Sequence, residues 1–245
     1  MDFEDPNRVN AHPQPSSSPF LWMKSGLTSD EADDYRDGSA SISELACVER
    51  PVRIGAKTVV QPFAHILPHA ALGEHCYLGA HSTVSSGVLM GNQVRVMNHV
   101  SLAPGVILED GVYIGSASVF APLRRMRGTQ HAVSRISPTL LRQGASLGPR
   151  VTMGTGLSVG SYAFIEAGSV VDKLIPDFAL AGGDPIKVLG WRCQCGATLN
   201  FQSSFETTCS FCHREYQKVA DQKVTLRYAP SIQRTDGFNS ETLGW

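Results

Sequence analysis

A large apolar side chain returns at every sixth residue from Ile54 onward: Ile54, Val60, Ile66, Leu72, Leu78, Val84, Met90, Val96, Leu102, Leu108, Ile114 and Phe120. In a chain that is 42% hydrophobic, chance fills one such register about three times in 100,000, so the spacing is a repeat. Four residues after most of these positions stands something small or β-branched: Thr58, Ala64, Ala70, Cys76, Ser82, Val88, Val94, Val100. The residue immediately after is often glycine (Gly55, Gly73, Gly79, Gly91, Gly115), which we expect at corners of positive φ. After an interruption the beat resumes at Leu141, Leu147, Met153, Val159, Ile165 and Val171.

Period six fits neither the 3.6 of a helix nor the 2 of a simple strand. It fits an all-β solenoid, the parallel β-helix, in which short strands alternate with corners and each strand sends one large side chain into a narrow core. An ordinary sandwich would not hold one spacing through so many strands.

Charge and composition narrow the class. The net charge of 245 residues is −1, which argues against a nucleic-acid or anionic-membrane surface. No apolar run approaches the roughly 18 residues of a membrane span. The N-terminal MDFEDPNRVNAHPQPSSSPF lacks the basic-then-apolar order of a secretory leader. A cytoplasmic protein is expected, its six cysteines serving as thiols or metal ligands rather than disulfides.

VRIGAK, YLGAHS and VYIGSA resemble the hexapeptide repeats of the left-handed β-helix acyltransferases. VVQPFAHILPHAALGEHCYLG, VMNHVSLAPGVILEDGVYIG, LLRQGASLG and IPDFALAGGDPIKVLGW resemble more narrowly the bacterial nucleotide-sugar N-acetyltransferases. The nearest type acetylates the 3-amino group of UDP-2-acetamido-3-amino-2,3-dideoxyglucuronic acid. The resemblance implies a left-handed helix with three hexads per coil: four coils from Ile54 to Arg125 and two more from Leu141. It also implies an acetyl-CoA donor, a nucleotide-linked aminosugar acceptor, and a homotrimer with its sites in the clefts between subunits. The chain departs from the family pattern at Ile186, where alanine is usual, at His99, where a second asparagine follows Asn98, and at Pro122 and Arg125, where asparagine is usual. These departures leave the sugar open.

On that coil, His69, His75 and His81 fall on different corners, so one chain cannot gather them around one ion. His81 and His99 lie one full coil apart and should stack at about 4.8 Å. Asn98 and His99 sit where the resembling enzymes contact the acceptor amine. A neutral sugar amine needs orientation only, whereas a hydroxyl acceptor would need His99 as base. The interruption carries Arg124, Arg125 and Arg127, and Arg142 follows it. Such guanidinium forks suit a diphosphate, and with His81 they are the expected substrate contacts. Ala163, Ala167, Lys173 and Lys187 fall where the family lays coenzyme A.

The tail reads Cys193-x-Cys195-Gly, thirteen residues, then Cys209-x-x-Cys212. Two close pairs at this separation suggest a closed, structural zinc site in a small ribbon. The expected organisation is an N-terminal extension over 1–45, a β-helix over 46–191 with an insertion at 121–140, and the ribbon region over 192–245. Three functions stay open: N-acetyltransferase, O-acetyltransferase, or a β-helix scaffold subunit without catalysis.

Overall fold

The structure, a computed structural model, describes residues 34–121, 138–201, 204–220 and 223–230. Among them every regular element is a strand, and no helix is long and apolar enough to cross a membrane. Short strands wind into three parallel sheets that close a triangular solenoid. The first sheet runs from Tyr35–Arg36 to Ser158–Val159, the second from Ser41–Ile42 through Phe164–Ile165, and the third from Cys47–Val48 to Val170–Val171. Seven strands in the first and third sheets mean seven coils. Each residue pairs with its equivalent one coil on, as Tyr77 with Arg95 and Arg95 with Tyr113.

The six-residue beat is the core. Ile54, Ile66, Leu78, Leu102, Ile114 and Leu147 are all fully buried, each contributing roughly 1.5–3 kcal/mol of transfer free energy. The small residues four later form the second inward row: Thr58, Ala64, Cys76, Ser82 and Val88 are buried too.

The glycines do a different job from the one expected. Gly55, Gly73, Gly79, Gly91 and Gly115 do not have positive φ. A Cβ on Gly55 would stand 2.6 Å from the carbonyl carbon of Gly73, and one on Gly115 2.4 Å from the Pro149 nitrogen. They are glycine because the next coil's backbone passes over them. The left-handed residues lie two positions later: Lys57, Phe63, His69, His75, His81, Gln93 and His99 have φ between 54° and 63°. Histidine is among the residues that tolerate this conformation best. The six-residue spacing of histidines is therefore a property of the corners.

The solenoid also starts earlier than the expected 46. Tyr35–Arg36 pairs with Arg53–Ile54 and Ser41–Ile42 with Val59–Val60. This first coil hid from the apolar pattern because Arg36 occupies the inward register position opposite Ile54. Its side chain is partly buried, with the guanidinium turned to Asp34 and the Val48 carbonyl. At the other end the tail is continuous with the solenoid. Lys187–Arg192 pairs antiparallel with Ala179–Gly182, and Thr198–Leu199 adds to it. The third sheet's strand Val119–Ala121 pairs with Thr152–Gly154, so the interruption leaves one corner after Ala121 and returns at Thr139–Leu141 without breaking register.

Candidate functional site

Between the second and third sheets, one corner position carries Phe63, His81 and His99 in successive coils. The rings of His81 and His99 stack at 5.0 Å with 1° between planes, and Phe63 stacks on His81 at 4.9 Å. Coil spacing imposes the separation, and the shared left-handed backbone aims all three rings outward in parallel. His69 and His75 lie on the other two corners, between the third and first sheets and between the first and second. His69, His75 and His81 thus stand on three different corners, as the spacing predicted. Phe63 belongs to the ladder and was missed, although its distance from His81 is the one that links His81 to His99.

Asn98 precedes His99 on this exposed edge. Its Oδ1 accepts the Ala80 N–H at 3.0 Å, tying two coils together. Asn92 accepts the Glu74 N–H at 2.9 Å, Asp110 the Asn92 N–H at 2.7 Å and Asp177 the Ser161 N–H at 2.7 Å. Those three lie on another corner, so Asn98 uses a device that the fold repeats elsewhere. With Oδ1 turned back to the coil, the carboxamide presents its N–H₂ end outward. It is an N–H donor facing solvent, and its oxygen is engaged.

The other expected contacts are dispersed. Arg142 follows Thr139–Leu141 at the corner between the first and second sheets, away from the histidine ladder. The interruption that carries Arg124, Arg125 and Arg127 leaves the corner between the third and first sheets. Those three arginines lie outside the described residues. Ala163 is a second-row inward residue, 1% exposed, so its side chain faces the core and leaves only its backbone for a ligand. Ala167 is exposed on the same edge as Asn98, three coils further along, or about 14 Å. Lys173 is exposed beyond the last strand of the third sheet, and Lys187 opens the antiparallel exit strand.

In the tail, Cys193, Cys195, Cys209 and Cys212 bring their sulfurs within 4.8 Å of one another. Cys193 and Cys212 are 3.3 Å apart, Cys195 and Cys209 3.6 Å, too long for disulfides. Tetrahedral zinc with Zn–S near 2.3 Å has S···S edges of about 3.8 Å. The donor set fits a closed four-thiolate site. Two tight turns supply it: the Gly196 N–H meets the Cys193 carbonyl, and the His213 N–H the Cys209 carbonyl. Burial acts to raise Cys212 but is outweighed by hydrogen bonds from the Arg214 backbone and side chain and from Cys193, leaving it at about 6. Tyr216, fully buried, places its hydroxyl 3.1 Å from Cys193 Sγ and packs edge-on against Phe178. It joins the cysteine cluster to the end of the solenoid core. A lone tyrosine between Glu215 and Gln217 gave no sequence signal for this role.

Residues 51–86 match the family model for bacterial transferase hexapeptide (six repeats), and residues 70–104 that for the hexapeptide repeat of succinyl-transferase. The chain is thus a hexapeptide-repeat β-helix over its central coils. It is 40% identical over 87 residues, 36% of this chain and 44% of the relative, to dTDP-3-amino-3,6-dideoxy-alpha-D-galactopyranose 3-N-acetyltransferase of Aneurinibacillus thermoaerophilus. It spans about half the length of the curated relatives it matches. Among solved structures, AntD, an N-acyltransferase from Bacillus cereus in complex with dTDP and 3-hydroxybutyryl-CoA, gives a TM-score of 0.46 at 15% identity, covering 64% of this chain and 82% of that one. The acetyltransferase domain of PglB from Neisseria gonorrhoeae, in complex with acetyl coenzyme A, gives 0.39 at 20% identity, covering 62% and 58%.

Proposed function

We propose that this chain is an acyl-CoA-dependent N-acetyltransferase acting on the amino group of a nucleotide-linked aminosugar. The observation that carries the reading is the 40% identity to a dTDP-aminosugar N-acetyltransferase. Asn98 and His99, side by side on an exposed corner, agree with it. The amine of an aminosugar titrates nearer an α-amino group, about 8, than a lysine, so about a quarter of it is already neutral near pH 7.5. It attacks the thioester carbonyl directly. The Asn98 N–H₂ donates to the oxyanion that develops there, the role left to it by the engagement of Oδ1 with Ala80. The thiolate of coenzyme A leaves, and the proton lost by the amine passes to it or to solvent. His99 orients the sugar and is not required as a base. The arginines of the interruption and Arg142 would meet the diphosphate, and Ala167, Lys173 and Lys187 the coenzyme.

Because these residues sit on three different edges of one solenoid, the reading requires a second copy to complete each site. A homotrimer, about 79 kDa from 26.4 kDa chains, supplies that. The cysteine cluster holds a structural zinc and takes no part in transfer, and the working compartment is the cytoplasm. Incubation with acetyl-CoA and a panel of dTDP- and UDP-aminosugars, read by thiol release, tests the activity. Release dependent on one aminosugar supports it. A zinc-loaded trimer inactive on the whole panel overturns it.

A further inference from the structure

A second group of metal-ligating side chains lies at the opposite end of the molecule from the four cysteines. Cys47 and His65 are register partners on the adjacent strands Cys47–Val48 and His65–Ile66 of the third sheet. Both therefore leave the sheet on its outer face, one coil apart. Glu49 follows the first of these strands, and its Oε1 lies 2.5 Å from His65 Nε2. The Cys47 sulfur, a His65 ring nitrogen and a Glu49 oxygen all lie within 4.8 Å of one another. The sheet fixes the two strand residues, and the hydrogen bond holds the third donor against them.

The neighbouring arginines are committed elsewhere: Arg36 and Arg50 both pair with Asp34, and Arg36 also reaches the Val48 carbonyl. The Glu49 carboxylate is met by His65. Tetrahedral coordination at Zn–S near 2.3 Å and Zn–N or Zn–O near 2.0–2.2 Å separates such donors by about 3.3–3.6 Å. Side-chain rotation of these partly exposed groups closes the difference without moving a strand.

We infer that Cys47, Glu49 and His65 form a second metal site, specific for a borderline divalent ion of the zinc class. A thiolate, an imidazole and a carboxylate suit zinc or its transition-series neighbours and exclude magnesium, which takes oxygen ligands. Binding replaces the thiol proton of Cys47, which leaves to solvent, while the Nε2 lone pair of His65 turns to the ion and its proton is carried on Nδ1. Three protein ligands leave a fourth position for water or for a donor from another molecule, unlike the closed tail cluster. The inference is independent of the proposed activity.

The test is alkylation of Cys47 in the full-length reduced protein, followed peptide by peptide by mass spectrometry with and without Zn²⁺. Zn²⁺ should slow labelling of Cys47 at least tenfold in the native sequence, and Mg²⁺ at the same concentration should not. His65→Gln and Glu49→Gln should each lose most of that protection while keeping the native melting temperature. Labelling indifferent to Zn²⁺ overturns the site, as does equal protection in both variants or by Mg²⁺. Because Cys47 is read individually, zinc on the tail cysteines does not enter the result.

Discussion

The donor role proposed for Asn98 is separable from its structural bond to the next coil, and three substitutions distinguish the two. Asn98→Ala removes the Oδ1 acceptor of the Ala80 N–H. One hydrogen bond on an exposed corner is worth about 0.5–1.5 kcal/mol, or a fall in melting temperature of roughly 1–6 °C for a domain of this size. Asn92→Ala removes the equivalent bond to the Glu74 N–H and should cost the same. The activities should differ. Losing an oxyanion donor costs about 10²–10³ in kcat, so Asn98→Ala should fall that far and Asn92→Ala should stay near the native rate. Asn98→Asp is the sharper probe. Asp110 and Asp177 already make this bond on the other corner, so aspartate should preserve the melting temperature while removing the donor and adding a repelling charge. Thermal melts and steady-state kinetics on the three variants decide it. Full activity in Asn98→Asp, or equal loss in Asn92→Ala and Asn98→Ala, would refute the donor role.

Other outcomes follow from the same structure. His99→Ala should cost less than about tenfold in kcat on an amine acceptor, against roughly 10²–10⁴ if the group were a required base; a pH-rate profile on a saturating aminosugar separates the two. Elemental analysis should find one zinc per chain more in the native protein than in Cys209→Ser, the difference being the ion on the four tail cysteines, and the variant should melt lower because Tyr216 is freed from the solenoid end. Burial pushes the Cys76 thiol up to about 11, above its unfolded value. That stability is complete below the unfolded value and is lost as pH climbs toward 11. Denaturant melts should show about 2–3 kcal/mol vanishing between pH 8 and pH 11, and Cys76→Ala should remove that part of the slope. Light scattering should give a trimer of about 79 kDa from the 26.4 kDa chain, and a monodisperse monomer that still transfers acetyl groups would sink the shared-site reading.

The coil was legible because one side chain per strand must fill a narrow core, and nothing else imposes that spacing. The coplanar stacking of His81 and His99 followed from it. The glycines and the first coil were read less well for opposite reasons. Gly55 and its equivalents answer to a backbone one coil away, a contact far in sequence that looks locally like a turn. Arg36 fills an inward place with a charged residue, and so it breaks the apolar pattern in the first described coil. Ala163 was assigned to a ligand through its place in a motif, yet the small-residue row it belongs to points into the core. The engagement of Asn98 Oδ1 needed coordinates: sequence alone does not say which end of a carboxamide a neighbouring coil holds.

The measurement closest to the central claim uses one matched pair of acceptors: a nucleotide-linked sugar bearing an amine, and its analogue bearing a hydroxyl at the same carbon. With acetyl-CoA saturating, thiol release and product NMR give both the rate and the bond formed. The account predicts an amide product, and a kcat/KM for the amine at least a hundredfold above that for the hydroxyl, with the native enzyme and His99→Ala showing the same preference. An ester formed at comparable rate, and abolished by His99→Ala, would contradict it.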